Sequence, residues 1–177
     1  ATDTPTATDT PPPTATPRWP GRNIARLGSA TASGGKDTAH KAIDGDVETI
    51  WQSGGFPVQE LVITLNDFYE KNQIDGIELV VAQSSIGRTT HEIWVEDETG
   101  KIHSHTAELT ADTRDRQTLV INWDAGRLGN AQTVKRIFVR TIRGPSFVGW
   151  REVRIYEHLP PPRSTVTATR TPTTTST

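Results

Sequence analysis

The stretch that decides the fold is residues 41–53, which read Lys41-Ala42-Ile43-Asp44-Gly45-Asp46-Val47-Glu48-Thr49-Ile50-Trp51-Gln52-Ser53. Its first half places three oxygen-bearing side chains, Asp44, Asp46 and Thr49, around a glycine that permits a sharp turn. Such oxygen ligands suit a hard cation such as calcium, whose shell main-chain carbonyls can complete. The spacing alone fits a plain Asp-Gly turn with solvated carboxylates still better. Both interpretations therefore stay open on these residues.

Outward from this loop, short runs of β-branched and aromatic residues alternate with turn signals, and no helical period extends beyond a turn or two. The predicted strands are Glu60 to Leu65, Ile74 to Ala82, His91 to Glu96, Gln117 to Trp123, Lys135 to Ile142 and Arg151 to Tyr156. Apolar and polar residues alternate in the third and the last of them, which predicts half-buried strands. A hairpin loop predicted at Asp97-Glu98-Thr99-Gly100 makes its flanking strands antiparallel. The pattern predicts an all-β jelly-roll sandwich.

Both ends of the chain differ from this middle in composition. Residues 1–20 and 159–177 are rich in Thr and Pro and contain almost no large apolar side chains, so neither can bury a core. We expect two disordered, extended linkers that flank one domain of residues 21–158. Thr/Pro-rich spacers favour a secreted or cell-surface protein with neighbouring domains on both sides, and the linkers fit O-glycosylated stalks and unmodified spacers equally well. We expect the chain to be part of a longer precursor.

Charge and composition exclude several functions. A net charge of -2 gives no general attraction to nucleic acid, and no apolar run is long enough for a transmembrane segment. The absence of cysteine excludes disulfides, thiolate zinc sites and cysteine nucleophiles. No nucleophile elbow, His-Glu-x-x-His motif or phosphate-binding glycine loop occurs, which argues against an enzyme. His103 and His105 lack a third ligand for zinc and are predicted to be surface residues.

The order of these segments resembles the discoidin, or factor V/VIII type C, family of the galactose-binding-like superfamily. Residues 41–53 are similar to its most recognisable run, K/N-A-x-D-G-x-x-x-T-x-W-x-S. The entry strand is matched by Asn23-Ile24-Ala25 with Ala30-Thr31-Ala32-Ser33, and the closing strands by Arg136-Ile137-Phe138-Val139-Arg140 with Trp150-Arg151-Glu152-Val153-Arg154-Ile155-Tyr156. The superfamily includes many bacterial carbohydrate-binding modules. The resemblance covers the whole middle of the chain.

The resemblance implies two sites. In related sugar-binding modules this loop and a Glu near the C-terminus hold a structural calcium, which would here be bound by the Lys41 carbonyl, Asp44, Asp46, Thr49 and Glu152. A sugar would lie over loops at one end of the sandwich, where Phe147 would stack on it. The implied ligand-binding residues are Gln52, Phe56, Arg88, His91 and Phe147. Each of them could instead be a packing or solvated residue, and Trp51 is predicted to pack rather than to bind sugar.

The sequence is compatible with two functions. The first is a non-catalytic module that binds a glycan or polysaccharide and so tethers attached domains to it, gaining affinity by avidity. The second is a structural or adhesive domain that makes protein contacts in a surface assembly and binds no sugar. A glycan site needs exposed aromatic rings with polar groups around them, whereas a spacer needs none. The fold alone does not decide between them, because function resides in the loops.

Overall fold

The computed structural model describes residues 18–159, which fold into two antiparallel sheets packed face to face. The strands are β1 Ser29–Ala32, β2 Trp51–Gln52, β3 Gln59–Glu70, β4 Ile74–Val81, β5 Gly87–Glu96, β6 Ile102–Thr113, β7 Thr118–Asn122, β8 Thr133–Arg143 and β9 Gly149–Glu157. The first sheet has the order β1-β3-β8-β5-β6, and the second has the order β2-β9-β4-β7. Three short 3₁₀ helices, Ala25–Leu27, Lys36–Ala42 and Ala125–Leu128, lie in the connections.

All six strands predicted from the sequence are confirmed, as is the antiparallel hairpin around Asp97 to Gly100. The inward positions of β5 and β8 are Ile93, Val95, Ile137 and Val139, and all four are fully buried. Trp51 is also fully buried, and its indole N–H donates to the carbonyls of Gly34 and Gly35. Its predicted packing role is thereby confirmed.

Strand β9 differs from the prediction because it is buried on both faces rather than half-buried. Val153 and Ile155 face the core, while Tyr156, on the opposite face, is covered by Trp19 with 5.4 Å between ring centroids. Trp19 also approaches Gly76 so closely that a side chain there would clash with the indole. The sequence assigns Trp19 to the first linker, but in the structure it packs on the sandwich.

The two ends of the described chain lie side by side. Asn23 forms an antiparallel bridge with Tyr156, the Glu157 N–H donates to the Arg22 carbonyl at 2.9 Å, and the Arg22 and Glu157 side chains form an ion pair at 3.0 Å. The predicted linkers lie outside the described residues except for residues 18–20 and 159. No helix within residues 18–159 is long and apolar enough to cross a membrane.

His105 corrects another prediction, because it is buried rather than at the surface. Its ring stacks on Trp123 with 4.4 Å between centroids, and its Nε2 accepts a hydrogen bond from the Asp124 N–H at 3.0 Å. Burial, followed by the nearby charge of Arg127, lowers its pKa to about 4. His105 therefore fixes the turn after β7 to β6 as a neutral packing residue.

Candidate functional site: the loop surface and the cation loop

Three loops meet at the end of the sandwich where β9 begins. They are residues 53–58 between β2 and β3, residues 82–86 between β4 and β5, and residues 144–148 between β8 and β9. The pairing of Gln52 with Gly149 fixes the first loop beside the third. We call the groove between these loops the loop surface, and it is lined by Gln52, Phe56, Ala82, Ser84, Ser85, Pro145, Ser146 and Phe147.

The loop surface carries two aromatic rings that are open to solvent. Phe56 is 59% exposed and Phe147 is 47% exposed, and they meet edge to face with 4.9 Å between centroids and 86° between planes. Val58 and Ile86, on two of the same loops, are also exposed. Because an isolated apolar side chain at the surface needs no explanation but a cluster does, this end of the sandwich has the character of a binding surface.

The structure brings three of the five sugar-binding residues implied by the sequence to this surface, namely Gln52, Phe56 and Phe147. Arg88 is exposed but lines a separate groove with Thr90, Glu108, Thr110 and Arg143. The separation follows from strand alternation, because Arg88, the second residue of β5, lies on the face opposite Thr89. Its predicted role in sugar binding stays a prediction.

His91 lies beneath the loop surface rather than on it. It is 3% exposed, and its Nδ1 and Nε2 are each 3.0 Å from a threonine hydroxyl, of Thr141 and Thr89 respectively. Its ring packs against Trp150 at 5.0 Å, and burial lowers its pKa to about 4. In this arrangement both ring nitrogens are occupied, so His91 supports the floor under residues 144–148.

Sequence reasoning missed two of the three serines that line the loop surface, Ser84 and Ser85. They lie in the run Gln83-Ser84-Ser85-Ile86, which separates two predicted strands. A polar loop between apolar strands was the available signal, but only the sheet register shows that it lies beside Phe147. The serine hydroxyls can donate and accept hydrogen bonds next to the two rings.

The loop of residues 41–49 gathers oxygen atoms as the sequence suggests. The Thr49 Oγ1 lies 3.2 Å from the Lys41 carbonyl oxygen, 2.8 Å from Asp44 Oδ2 and 3.0 Å from the Asp46 carbonyl oxygen. The Asp46 carboxylate is turned elsewhere and accepts the Glu48 N–H at 2.9 Å. Asp46 therefore presents its main-chain oxygen to the cluster rather than its side chain.

Glu152 of β9 contacts this loop at Gly45. It is fully buried, its Oε2 accepts the Gly45 N–H at 3.0 Å, and its Oε1 has no hydrogen-bond partner in the described part of the chain. Burial raises its pKa to about 7, and the nearby charge of Asp44 adds to the rise. A buried carboxylate oxygen without a partner is costly, and a bound cation would remove that cost.

The donor set fits a calcium ion better than a transition metal. Every candidate ligand is an oxygen, from a carboxylate, a hydroxyl or a main-chain carbonyl. No three His, Asp or Glu side chains converge as a metal cluster within residues 18–159, so main-chain and hydroxyl oxygens would supply much of the shell. The Arg26 side chain lies against Gly45, and its charge opposes the rise in the pKa of Glu152.

Comparison with known proteins bears on the fold. No protein-family model matches the chain, and no curated protein matches it. Among solved structures, the family 32 carbohydrate-binding module of Clostridium perfringens NanJ, in complex with galactose, matches with a TM-score of 0.62 and 20% identity over 77% of this chain and 98% of that one. The chain has the fold of such modules. The predicted all-β jelly-roll sandwich is thereby confirmed.

Two further structures are similar. A second family 32 module from Clostridium perfringens, in complex with GalNAc-β-1,3-galactose, gives a TM-score of 0.58 at 16% identity, covering 75% of this chain and 97% of that one. A chitosan-binding module from a chitosanase/glucanase of Paenibacillus sp. IK-5 gives 0.57 at 22% identity, covering 76% and 98%. All three matches cover nearly the whole of the solved module and about three quarters of this chain.

Proposed function

We propose that this protein is a non-catalytic module that binds a glycan through the loop surface. The observation that carries the proposal is the pair of exposed rings, Phe56 and Phe147, set beside an amide and three serine hydroxyls. A structural spacer has no use for exposed aromatic rings surrounded by polar groups. The solved modules that share this fold include complexes with galactose and with GalNAc-β-1,3-galactose.

The aromatic rings and the polar groups contact different parts of a sugar. A sugar ring has an apolar C–H face and an edge of hydroxyls, so the face packs on Phe147 while Gln52 and the serines exchange hydrogen bonds with the hydroxyls. The edge-to-face contact with Phe56 holds the Phe147 ring in place. Because the surface is open and offers few hydrogen bonds, the affinity for a single sugar is low, and repeated modules would raise it by avidity.

The test compares Phe147→Ala with a matched control, Phe68→Ala. Phe68 is also a half-exposed ring, but it lies on β3 beside Lys135, away from the loop surface. A glycan array identifies a ligand, and titration calorimetry then measures its affinity for both variants. We expect Phe147→Ala to lose most of the binding with little change in melting temperature, and Phe68→Ala to bind like the unmodified protein.

Two results would contradict the proposal. If no glycan binds, or if Phe147→Ala chiefly lowers the melting temperature, Phe147 is a packing residue. The structural or adhesive function would then become the better one, and pull-down with neighbouring domains would test it.

A calcium ion in the loop of residues 41–49 completes the proposed function. The Lys41 and Asp46 carbonyls, Asp44, Thr49 and Glu152 would hold it, as their oxygens already gather there. Its role would be structural, because the loop belongs to the start of the fold and Glu152 to the last strand. The ion would neutralise the negative charge of the buried Glu152 carboxylate.

The setting of the module is extracellular in this proposal. Thr/Pro-rich stretches on both sides of a glycan-binding domain suit a secreted or surface protein, in which the module tethers its neighbours to a polysaccharide. Detection of the protein in the culture medium or on intact cells would test this location. Recovery from the cytoplasm alone would contradict it.

A further inference from the structure

A second aromatic surface lies on the outer face of the five-stranded sheet, and its lining residues differ from those of the loop surface. Trp94 of β5 and Phe138 of β8 are register partners, and both point away from the core because their neighbours Ile93 and Val139 are fully buried. Ile102, at the start of β6, is 49% exposed beside them. These three residues line one groove with Glu60 and Arg140, and we call it the sheet groove.

Hydrogen bonds hold the polar wall of the sheet groove in a fixed arrangement. The Trp94 indole N–H donates to Glu92 Oε2 at 3.1 Å. Arg140 donates to Glu60 Oε2 through Nε at 3.1 Å and Nη2 at 2.9 Å, and its Nη1 lies 3.7 Å from Glu92. A surface that is already ordered loses little conformational entropy when a ligand arrives. The groove is therefore a rigid aromatic floor beside fixed donors and acceptors.

From this arrangement we infer that the sheet groove is a second binding site, and that its ligand is a neutral glycan. The Trp94 and Phe138 side chains, which are adjacent on one face of the sheet, present apolar surface to the C–H face of a sugar. The Glu60 carboxylate and the Arg140 guanidinium keep free lone pairs and N–H groups for sugar hydroxyls. This site is distinct from the loop surface and would stand even if the loop surface bound nothing.

Charge and size select this ligand over the alternatives. Arg140 is matched against both Glu60 and Glu92, so the groove carries a slight negative charge and disfavours nucleic acid and polyuronates. Neighbouring strands lie about 5 Å apart, so the floor across β5 and β8 is about the width of one sugar chain. A stable protein interface needs about 800 Å² from each partner, far more than three apolar side chains supply.

The test uses the indole N–H signals of the full chain labelled with ¹⁵N. The sequence has five tryptophans, and the signal of Trp94 is the one that disappears in Trp94→Phe. The probes are hexasaccharides of β-1,4-galactose, mannose, glucose and xylose, with hexagalacturonate as the anionic comparison. We expect the Trp94 signal to shift with at least one neutral probe, to the same extent in the unmodified protein and in Phe147→Ala.

Variants then separate the two sites. Trp94→Ala should weaken binding at the sheet groove roughly tenfold and leave the shifts of residues 144–148 unchanged. Ile102→Ser removes an exposed side chain from the same groove and carries the same test if Trp94→Ala does not fold. Arg136→Ala is the matched control, because Arg136 lies on the same face and pairs with Glu96 outside the groove, so its binding should be unchanged.

Three outcomes would overturn the inference without touching the loop surface. The first is a Trp94 signal that no neutral hexasaccharide moves. The second is a signal that only hexagalacturonate moves, which would make the ligand an acidic glycan. The third is a signal that moves with protein concentration alone, which would make the groove a contact between copies of this chain. If instead the loop surface binds no glycan, the Trp94 shift stays intact. Phe147→Ala and the unmodified protein then have the same affinity for glycan.

Discussion

Replacing Glu152 by Gln should stabilise the metal-free protein at alkaline pH, although it removes a buried side chain's charge. Glu152 is fully buried with one unpartnered oxygen, and burial raises its pKa from 4.5 to about 7. Each pKa unit corresponds to about 1.4 kcal/mol, so the ionised carboxylate costs the metal-free fold about 3 kcal/mol above neutral pH. Glutamine has nearly the same shape, and its amide oxygen can still accept the Gly45 N–H.

The pH dependence follows from the direction of this shift. Because the pKa in the folded state is higher than in the unfolded state, the contribution of Glu152 to stability is fully present below about pH 4.5 and is lost as the pH rises through about 7. The difference in unfolding free energy between Glu152→Gln and the unmodified protein should therefore grow over this window. Calcium should reverse it, since an ion at 100 times its Kd adds about 2.7 kcal/mol to the protein that keeps the carboxylate.

Urea unfolding at pH 5 and pH 8, with chelator or with millimolar calcium, gives four unfolding free energies for each protein. Glu70→Gln is the control, because Glu70 is an exposed carboxylate on β3 and should respond to neither condition. If Glu152→Gln is the less stable protein at pH 8 with chelator, another group already compensates the carboxylate. If calcium stabilises both proteins equally, Glu152 is not a ligand. Either result would refute the reasoning.

Three further predictions concern the rest of the fold. A fragment of residues 18–159 should melt at a higher temperature than one of residues 21–158, because only the longer one keeps Trp19 on Tyr156; equal melting temperatures would show that this contact adds nothing. The neutral, buried His91 and His105 have lowered pKa values of about 4, so stability should fall as the pH drops from about 6.5 toward 4, and urea midpoints of His105→Gln should show a shallower fall. Leu79→Ala, at a fully buried site, should cost about 2–5 kcal/mol in unfolding free energy, and a loss below 1 kcal/mol in urea titration would mean that the sandwich collapses around the cavity.

The fold was predictable because six strands carry a local signal. Alternation in β5 separates Ile93 and Val95 from Trp94, and the structure keeps that separation. Strand β6 has no such signal, since it is an edge strand whose run Ile102-His103-Ser104-His105 is largely polar. The burial of Tyr156 could not be predicted from its sequence neighbours either, because it depends on Trp19 from the other end of the chain.

The candidate site was only partly predictable, because sequence does not give the register that brings distant segments together. Phe56 and Phe147 are 91 positions apart and meet only because β2 pairs with β9. Arg88 and His91 are three apart, yet one is exposed on the outer face and the other is buried beneath the loops. A shift of one residue in a strand reverses the face that a side chain takes.

The pairing of Arg22 and Asn23 with the end of β9 determines how the module would respond to pulling. The first and last described residues lie together at the C-terminal end of β9. There the Glu157 N–H donates to the Arg22 carbonyl, and the Ile24 N–H donates to the Ile155 carbonyl. Tension applied to the two ends would break these hydrogen bonds one after another, rather than all at the same time. The loop surface lies at the start of β9, and the nine residues of this strand put it about 30 Å from the strand's C-terminal end. The first hydrogen bonds to break would therefore be those farthest from a bound glycan.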